Sequence, residues 1–116
     1  MGVVRMYACG CGYSKEICVG SGMGAFNINL VKRLFPQEAA MIDVSRGPGE
    51  FELANAVGEC LSCKKLYATA MLTYKGGVAT KPCPDCGKPL MISDINNVNC
   101  PVCSELMNWQ EVGLWD

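Results

Sequence analysis

Eight cysteines stand in four close pairs, Cys9/Cys11, Cys60/Cys63, Cys83/Cys86 and Cys100/Cys103; a ninth, Cys18, stands alone, and the chain has no histidine. Two residues between cysteines let both sulfurs face one ion while turn amides hydrogen-bond back to them. Three C-x-x-C pairs behind an N-terminus without an apolar leader point to metal rather than a disulfide framework. Four thiolates close a tetrahedron and leave no open position, so the expectation is two structural Zn2+ ions held by these eight residues. Such an ion contributes roughly 10–16 kcal/mol, comparable to the whole stability of a small domain. Gly12 and Gly87 directly follow a second cysteine, where a knuckle needs positive φ, and Pro84 and Pro101 fix the entry to the turn.

Which pairs share an ion is open at this level. Cys60/Cys63 with Cys83/Cys86 gives C-x2-C-x19-C-x2-C, close to the usual ribbon spacing. Cys83/Cys86 with Cys100/Cys103 gives C-x2-C-x13-C-x2-C, with Asp94–Asn97 as the turn of a short hairpin. The near-copies CPDCGKPLM and CPVCSELMN favour the second pairing, and CLSCKKL adds a third version in which a leucine follows the knuckle.

The order Cys9-x-Cys11-Gly-Tyr, Gly20-x-Gly22-Met, a helix, C-x-x-C, CPxCG and CPxC resembles a group of small uncharacterised bacterial zinc-ribbon proteins over most of the chain. That group carries a variable insert between its second and third pairs. The resemblance therefore implies Cys83/Cys86 with Cys100/Cys103, although the connection here is short. Cys9-Gly-Cys11-Gly-Tyr13 and CPDCG also resemble the knuckles of rubredoxin, which would make the protein an iron electron carrier. The one-residue spacing and the lack of an acidic, aromatic-rich middle weigh against iron.

Other residues invite chemistry and have plainer readings. Gly20-x-Gly22-x-x-Ala25, with Asp43 beyond it, matches a dinucleotide fingerprint. Its strand is only four residues long and no further parallel strands are to be found, so a structural turn is expected. Cys18, between Ile17 and Val19, reads as a small buried hydrophobe. Lys64, Lys65, Lys75, Lys81 and Lys88, interleaved with Tyr67 and Tyr74, suggest either a nucleic-acid surface or charge compensation of a thiolate centre. Trp109 and Trp115 are expected to cap the core.

The elements that must position these residues are short. Val3–Val19 reads as strand, knuckle, strand; 25–35 as an amphipathic helix with Phe26, Leu30, Val31 and Leu34 on one face; and 37–44 as a second short helix. Ser45–Glu50 is a linker, Phe51–Gly58 leads into the first C-x-x-C, Leu66–Tyr74 alternates as a strand, and Lys75–Val78 turns it back. The expected fold is small α+β: zinc-ribbon hairpins with one or two short helices. A region 1–46 with the C-x-C knuckle, glycine turn and helix precedes a ribbon region 51–116, the two forming one integrated domain. Half the 116 residues are hydrophobic and 18% are charged, as in globular chains. The N-terminus lacks an apolar h-region and no apolar run approaches 18 residues, so a cytoplasmic protein is expected.

Eight thiolates and two Zn2+ ions take the formal charge from −1 to about −5. No nucleophile–base pair or open metal position stands out, so no catalysis is expected. The leading expectation is a zinc-stabilised module with a protein partner, ahead of a nucleic-acid ribbon; no membrane partner is expected.

Overall fold

The computed structural model describes residues 2–21, 25–43, 45 and 48–115. Strands β1 (Gly2–Ala8), β2 (Ser14–Val19) and β7 (Asn108–Trp115) form a three-stranded antiparallel sheet in the order β2-β1-β7. Strands β3 (Phe51–Cys60), β4 (Lys65–Tyr74), β5 (Gly77–Thr80) and β6 (Met91–Ser93) form a four-stranded antiparallel sheet in the order β5-β4-β3-β6. Two short helices, α1 (Ile28–Leu34) and α2 (Pro36–Ala39), lie between β2 and β3.

The α+β class is thereby corrected: the protein is mostly β, built on two antiparallel sheets. Two strands that carry this outcome have weak sequence signals. β3, FELANAVGEC, is diluted by small residues, and one is obligatory: a Cβ on Gly58 would meet Leu90 Cδ1 at 2.8 Å. β7, NWQEVGLW, has seven of its eight residues exposed, so no buried face imposes an alternating pattern on it. The helices are shorter than their pattern suggested, at seven and four residues. Asn27 caps α1 by accepting from the Asn29 and Leu30 amides, which leaves Phe26 before the helix and exposed rather than on its buried face. Pro36 then starts α2 at its first turn.

The two sheets share one core. Tyr7, Ile17 and Val19 from the first pack with Val57 and Leu66 from the second, together with Val98, Cys100 and Met107. Gly20 continues β2 onto β3 through two backbone bonds with Asn55, N–H to O at 3.0 and 2.9 Å. The Leu53 amide donates to Ala25 O, so Gly20 and Ala25 both bond the edge of β3 that three-residue β6 leaves uncovered. Val31, Phe35 and Ala39 of the helices cover Phe51, Leu53 and Leu72 on β3 and β4.

Residues 94–97, read from sequence as the turn of a metal hairpin, are the joint between the sheets. Asp94 and Asn97 close the turn, with the Asn97 amide donating to Asp94 O at 3.0 Å. Buried Arg5 of β1 donates Nη1–H to Ile95 O and Asn96 Oδ1, and the Tyr7 hydroxyl also donates to Ile95 O. On its other side the Arg5 guanidinium lies 3.7 Å from the centre of the Trp109 ring of β7 and 3.7 Å from Glu111.

Candidate metal centres

Each C-x-x-C knuckle folds in the same way. The amide of the residue after the second cysteine donates to the carbonyl of the first: Lys64 to Cys60 O at 2.8 Å, Gly87 to Cys83 O at 2.9 Å, and Ser104 to Cys100 O at 2.9 Å. All three adopt positive φ, at 55°, 76° and 68°. In the C-x-C knuckle Gly12 does so at 104°, donating to Cys9 O. Glycine at 12 and 87 was legible as a backbone requirement. Lys64 and Ser104 meet the same requirement without being glycine.

Pairing of the strands then brings the knuckles together in twos. The β1–β2 tip carries Cys9 and Cys11, and β7, whose Asn108 lies opposite Ala8, is led in by the knuckle of Cys100 and Cys103. Likewise the β3–β4 tip carries Cys60 and Cys63, and β6, whose Met91 lies opposite Glu59, is led in by the knuckle of Cys83 and Cys86.

Two tetracysteine groups result: Cys9, Cys11, Cys100 and Cys103 in one, Cys60, Cys63, Cys83 and Cys86 in the other. Within each group all sulfurs lie within 4.8 Å of one another. All eight residues singled out from the sequence fall in these groups, and Cys18, half-buried opposite Val4 on β2, belongs to neither. The favoured pairing of 83/86 with 100/103 is corrected: each of these knuckles joins a different hairpin tip. The short connection between the second and third pairs, residues 64–82, lies within one group's ligand set, because β3 pairs with both β4 and β6 and so brings Cys60/Cys63 to Cys83/Cys86.

Metal is what the donor sets fit. Four sulfurs about 2.3 Å from one ion stand roughly 3.8 Å apart at tetrahedral angles. The Sγ–Sγ separations are 3.3 Å for Cys9/Cys103, 3.6 Å for Cys11/Cys100, 3.5 Å for Cys60/Cys86 and 3.9 Å for Cys63/Cys83. Disulfide bonding needs about 2.05 Å, and all nine cysteines are free thiols.

Electrostatics within each group are asymmetric. Burial raises the Cys83 thiol, but the Asp85 and Cys86 amides and the Tyr67 hydroxyl outweigh it and bring it down to about 6. In the same way the Cys103 and Val102 amides overcome the burial of Cys100 and bring it down to about 7. Hydrogen bonding to Cys60 and Cys86 pushes Cys63 up to about 12. For Cys103 the Glu105 amide favours the thiolate, yet Cys9, desolvation and the other thiols raise it to about 12. Each group thus has one thiolate prepared by backbone amides at the head of a CPxC knuckle, while Cys63 and Cys103 keep their protons chiefly because they are hydrogen-bonded to neighbouring sulfurs and partly desolvated. A divalent cation favours the charged form and displaces those protons.

Residues around the second group were not recognised as part of it from sequence. The Tyr67 hydroxyl donates to Asp85 Oδ2 at 2.5 Å, which engages a ring considered above for base stacking. Lys88 Nζ donates to Ser62 Oγ at 2.9 Å, and Lys64 directly follows Cys63, so two lysines stand by this centre. Lys81 instead lies over the Phe35 ring at 4.9 Å. Of the dinucleotide-like loop, Gly22 lies outside the described residues, while Gly20 has φ +92° and serves the bridge to Asn55. Trp115 Nε1–H donates to Val19 O; Trp109 remains 38% exposed and stacks on Arg5 rather than capping the core.

No family model matches the chain, and neither a curated protein nor a solved structure matches it. The zinc-ribbon-like character therefore rests on the two tetracysteine groups themselves. No helix among the described residues is long and apolar enough to cross a membrane.

Proposed function

We propose that this protein is a cytoplasmic, non-catalytic interaction module whose fold is held by two structural Zn2+ ions and whose partner is another protein. The observation that carries the reading is the pair of closed four-sulfur groups. With every ligand position taken by protein, an ion there has no site for substrate or activated water, so its contribution is to stability. Zinc is preferred to iron because it needs no redox partner and suits a tetrathiolate cage. Free thiols throughout suit a reducing compartment.

A protein partner is preferred because Leu61 and Val102, inside the C-x-x-C turns, and Leu106 just beyond are each more than half exposed. The overall charge with zinc, about −5, opposes phosphate binding. One observation favours a nucleic-acid ribbon instead: Lys64, Lys65 and Lys88 are exposed on the two knuckles of the second group.

Metal analysis with an absorption spectrum tests the first half of the reading. A colourless protein with two zinc ions per chain is expected; a red protein, or one ion, replaces it. Photo-crosslinkers at positions 61 and 102, combined with gel shifts at 150 mM salt, test the second. Discrete protein adducts at those positions with no nucleic-acid shift are expected. Retention of RNA or DNA at that salt, lost on Lys64 and Lys88 substitution, supports the ribbon.

A further inference from the structure

The two metal groups differ in what they hold. The Cys60/Cys63/Cys83/Cys86 group ties together elements close in sequence, β3, β4 and the 83–90 segment leading to β6. The Cys9/Cys11/Cys100/Cys103 group instead joins the first hairpin to the segment before the last strand. We propose that the latter is an exchangeable clasp: loss of its ion releases β7 while the four-stranded sheet and the second centre stay folded. The inference rests on the zinc reading above.

Three independent features point the same way. The first is access. Cys11 and Cys103 are exposed, Cys9 is half-buried and Cys100 alone is buried, at 1% exposure, whereas in the second group Cys60 and Cys83 are 1% and 2% exposed, Cys63 is half-buried and only Cys86 is exposed. A chelator or a competing thiol thus reaches the clasp first.

The second is chain entropy. Residues 12–99 separate the two halves of the clasp, against 64–82 for the other group. The clasp is thus the longer-range closure and the entropically costlier one to remake once the strands have parted, although the folded four-stranded sheet within 12–99 keeps only part of that span flexible.

The third is how little else holds β7. None of the buried apolar residues belongs to 108–115. Besides its ladder with β1, β7 is held by the stacking of Trp109 on Arg5, the Trp109 Nε1–H bond to Asn96 O at 3.3 Å, the Glu111–Arg5 contact and the Trp115 bond to Val19 O. The register shift between Val4 and Arg5 leaves Val112 without an opposite residue and interrupts the ladder midway. Met107, the last buried anchor, immediately precedes β7, so the strand is tethered at its knuckle end. Ion loss there leaves Met107, with its amide bond to Val98 O at 2.8 Å, as the one buried anchor beside the strand among the described residues.

The test is graded chelation of the zinc-loaded protein with EDTA, followed by native mass spectrometry, iodoacetamide footprinting and brief digestion by a glutamate-specific protease. A one-zinc species is expected to accumulate, with ion loss from the clasp several-fold faster than from the second group. In that species Cys9, Cys11, Cys100 and Cys103 are alkylated and Cys60, Cys63, Cys83 and Cys86 are protected. Cleavage is expected after Glu105 and Glu111 but not after Glu52 or Glu59 in β3. Cys103→Ser is expected to reproduce the one-zinc pattern without chelator, and the wild-type footprint decides the matter if that variant does not fold. Simultaneous loss of both ions, earlier loss from the second group, or continued protection of Glu111 with one zinc overturns the clasp and leaves the two-zinc reading standing. A starting protein without two zinc ions overturns both.

Discussion

The Tyr13 hydroxyl accepts a hydrogen bond from the Leu66 amide at 2.9 Å, joining the knuckle of one cysteine group to the strand that leaves the other. Tyr13 follows Cys11 and Gly12; Leu66 follows Cys63, Lys64 and Lys65. Leu66 is fully buried and belongs to the core shared by both sheets, so its amide has no water to fall back on. The two candidate centres are therefore mechanically connected through one phenol.

Tyr13→Phe keeps the ring but orphans the Leu66 amide. An unsatisfied buried donor costs about 1–3 kcal/mol, and that loss is expected in urea unfolding of the zinc-loaded protein. Both ions should be retained. Unchanged stability would mean that water or another acceptor replaces the phenol.

Positive φ at Ser104 offers a gain. A side chain in the left-handed region costs about 1–2 kcal/mol, which glycine avoids at the expense of a more flexible unfolded chain. Ser104→Gly should be neutral to stabilising by up to about 1 kcal/mol. Gly87→Ala, at the same place in the neighbouring knuckle and with φ 76°, should destabilise by about 1–2 kcal/mol. Thermal melts of the two variants with zinc present check the pair of signs. Equal shifts in one direction would show that the knuckles tolerate side chains there.

The knuckles show how much of this protein was readable. Ligand identity depends on residue type and local spacing, so all eight metal-facing cysteines could be named from the chain. Which knuckles meet depends on strand pairing between distant segments. Spacing alone slightly favours Cys60/Cys63 with Cys83/Cys86, the group that forms, but the near-copied knuckles point to 83/86 with 100/103. Nothing local in NWQEVGLW tells that it returns to pair with β1. The same deficit produced the wrong class. α1 and β4 have strong periodicity and were legible, whereas β3 hides behind Ala54, Ala56 and Gly58, and β7 exposes nearly all its side chains. Arg5 in the core was not anticipated either. Its burial makes sense only once the 94–97 turn, Trp109 and Glu111 surround it.

Arg5 is accordingly a sensitive position. It satisfies two acceptors in the joint between the sheets and lies against Trp109 of β7, while its Nε–H finds no partner. Arg5→Ala removes the packing of the stem as well as these bonds and should cost about 2–4 kcal/mol. Arg5→Lys keeps the charge but not the planar fork and should recover only part of it. Equilibrium unfolding checks both. A lysine variant as stable as the wild type would reduce the role of Arg5 to charge alone.

Acidification should empty the two centres in a definite order. A metal-bound thiolate is lost when protons compete for it, so each site weakens as pH falls. The direction follows from the best-prepared thiolate in each group. Cys83 is brought down to about 6 and Cys100 to about 7, both below the ordinary thiol value of 9.0. A ligand with a depressed pKa contributes fully above its ordinary value, and that contribution disappears as pH falls through the depressed one. Both prepared ligands protonate in the same range, so the order follows access: the centre with exposed Cys11 and Cys103 should open first. Neighbouring thiols such as Cys63 and Cys103, raised to about 12, release their protons to solvent only when the ion binds and regain them when it leaves, which makes the release steeper in both groups. Single-centre variants separate the two events. Cys11→Ser, which keeps the second centre, should hold its zinc to lower pH than Cys86→Ser, which keeps the first. Zinc release followed with a metal-sensitive dye from pH 8 to pH 4 measures both midpoints. Coincident midpoints or the reverse order would show that neither access nor the amide bonds at Cys83 and Cys100 set the order of release.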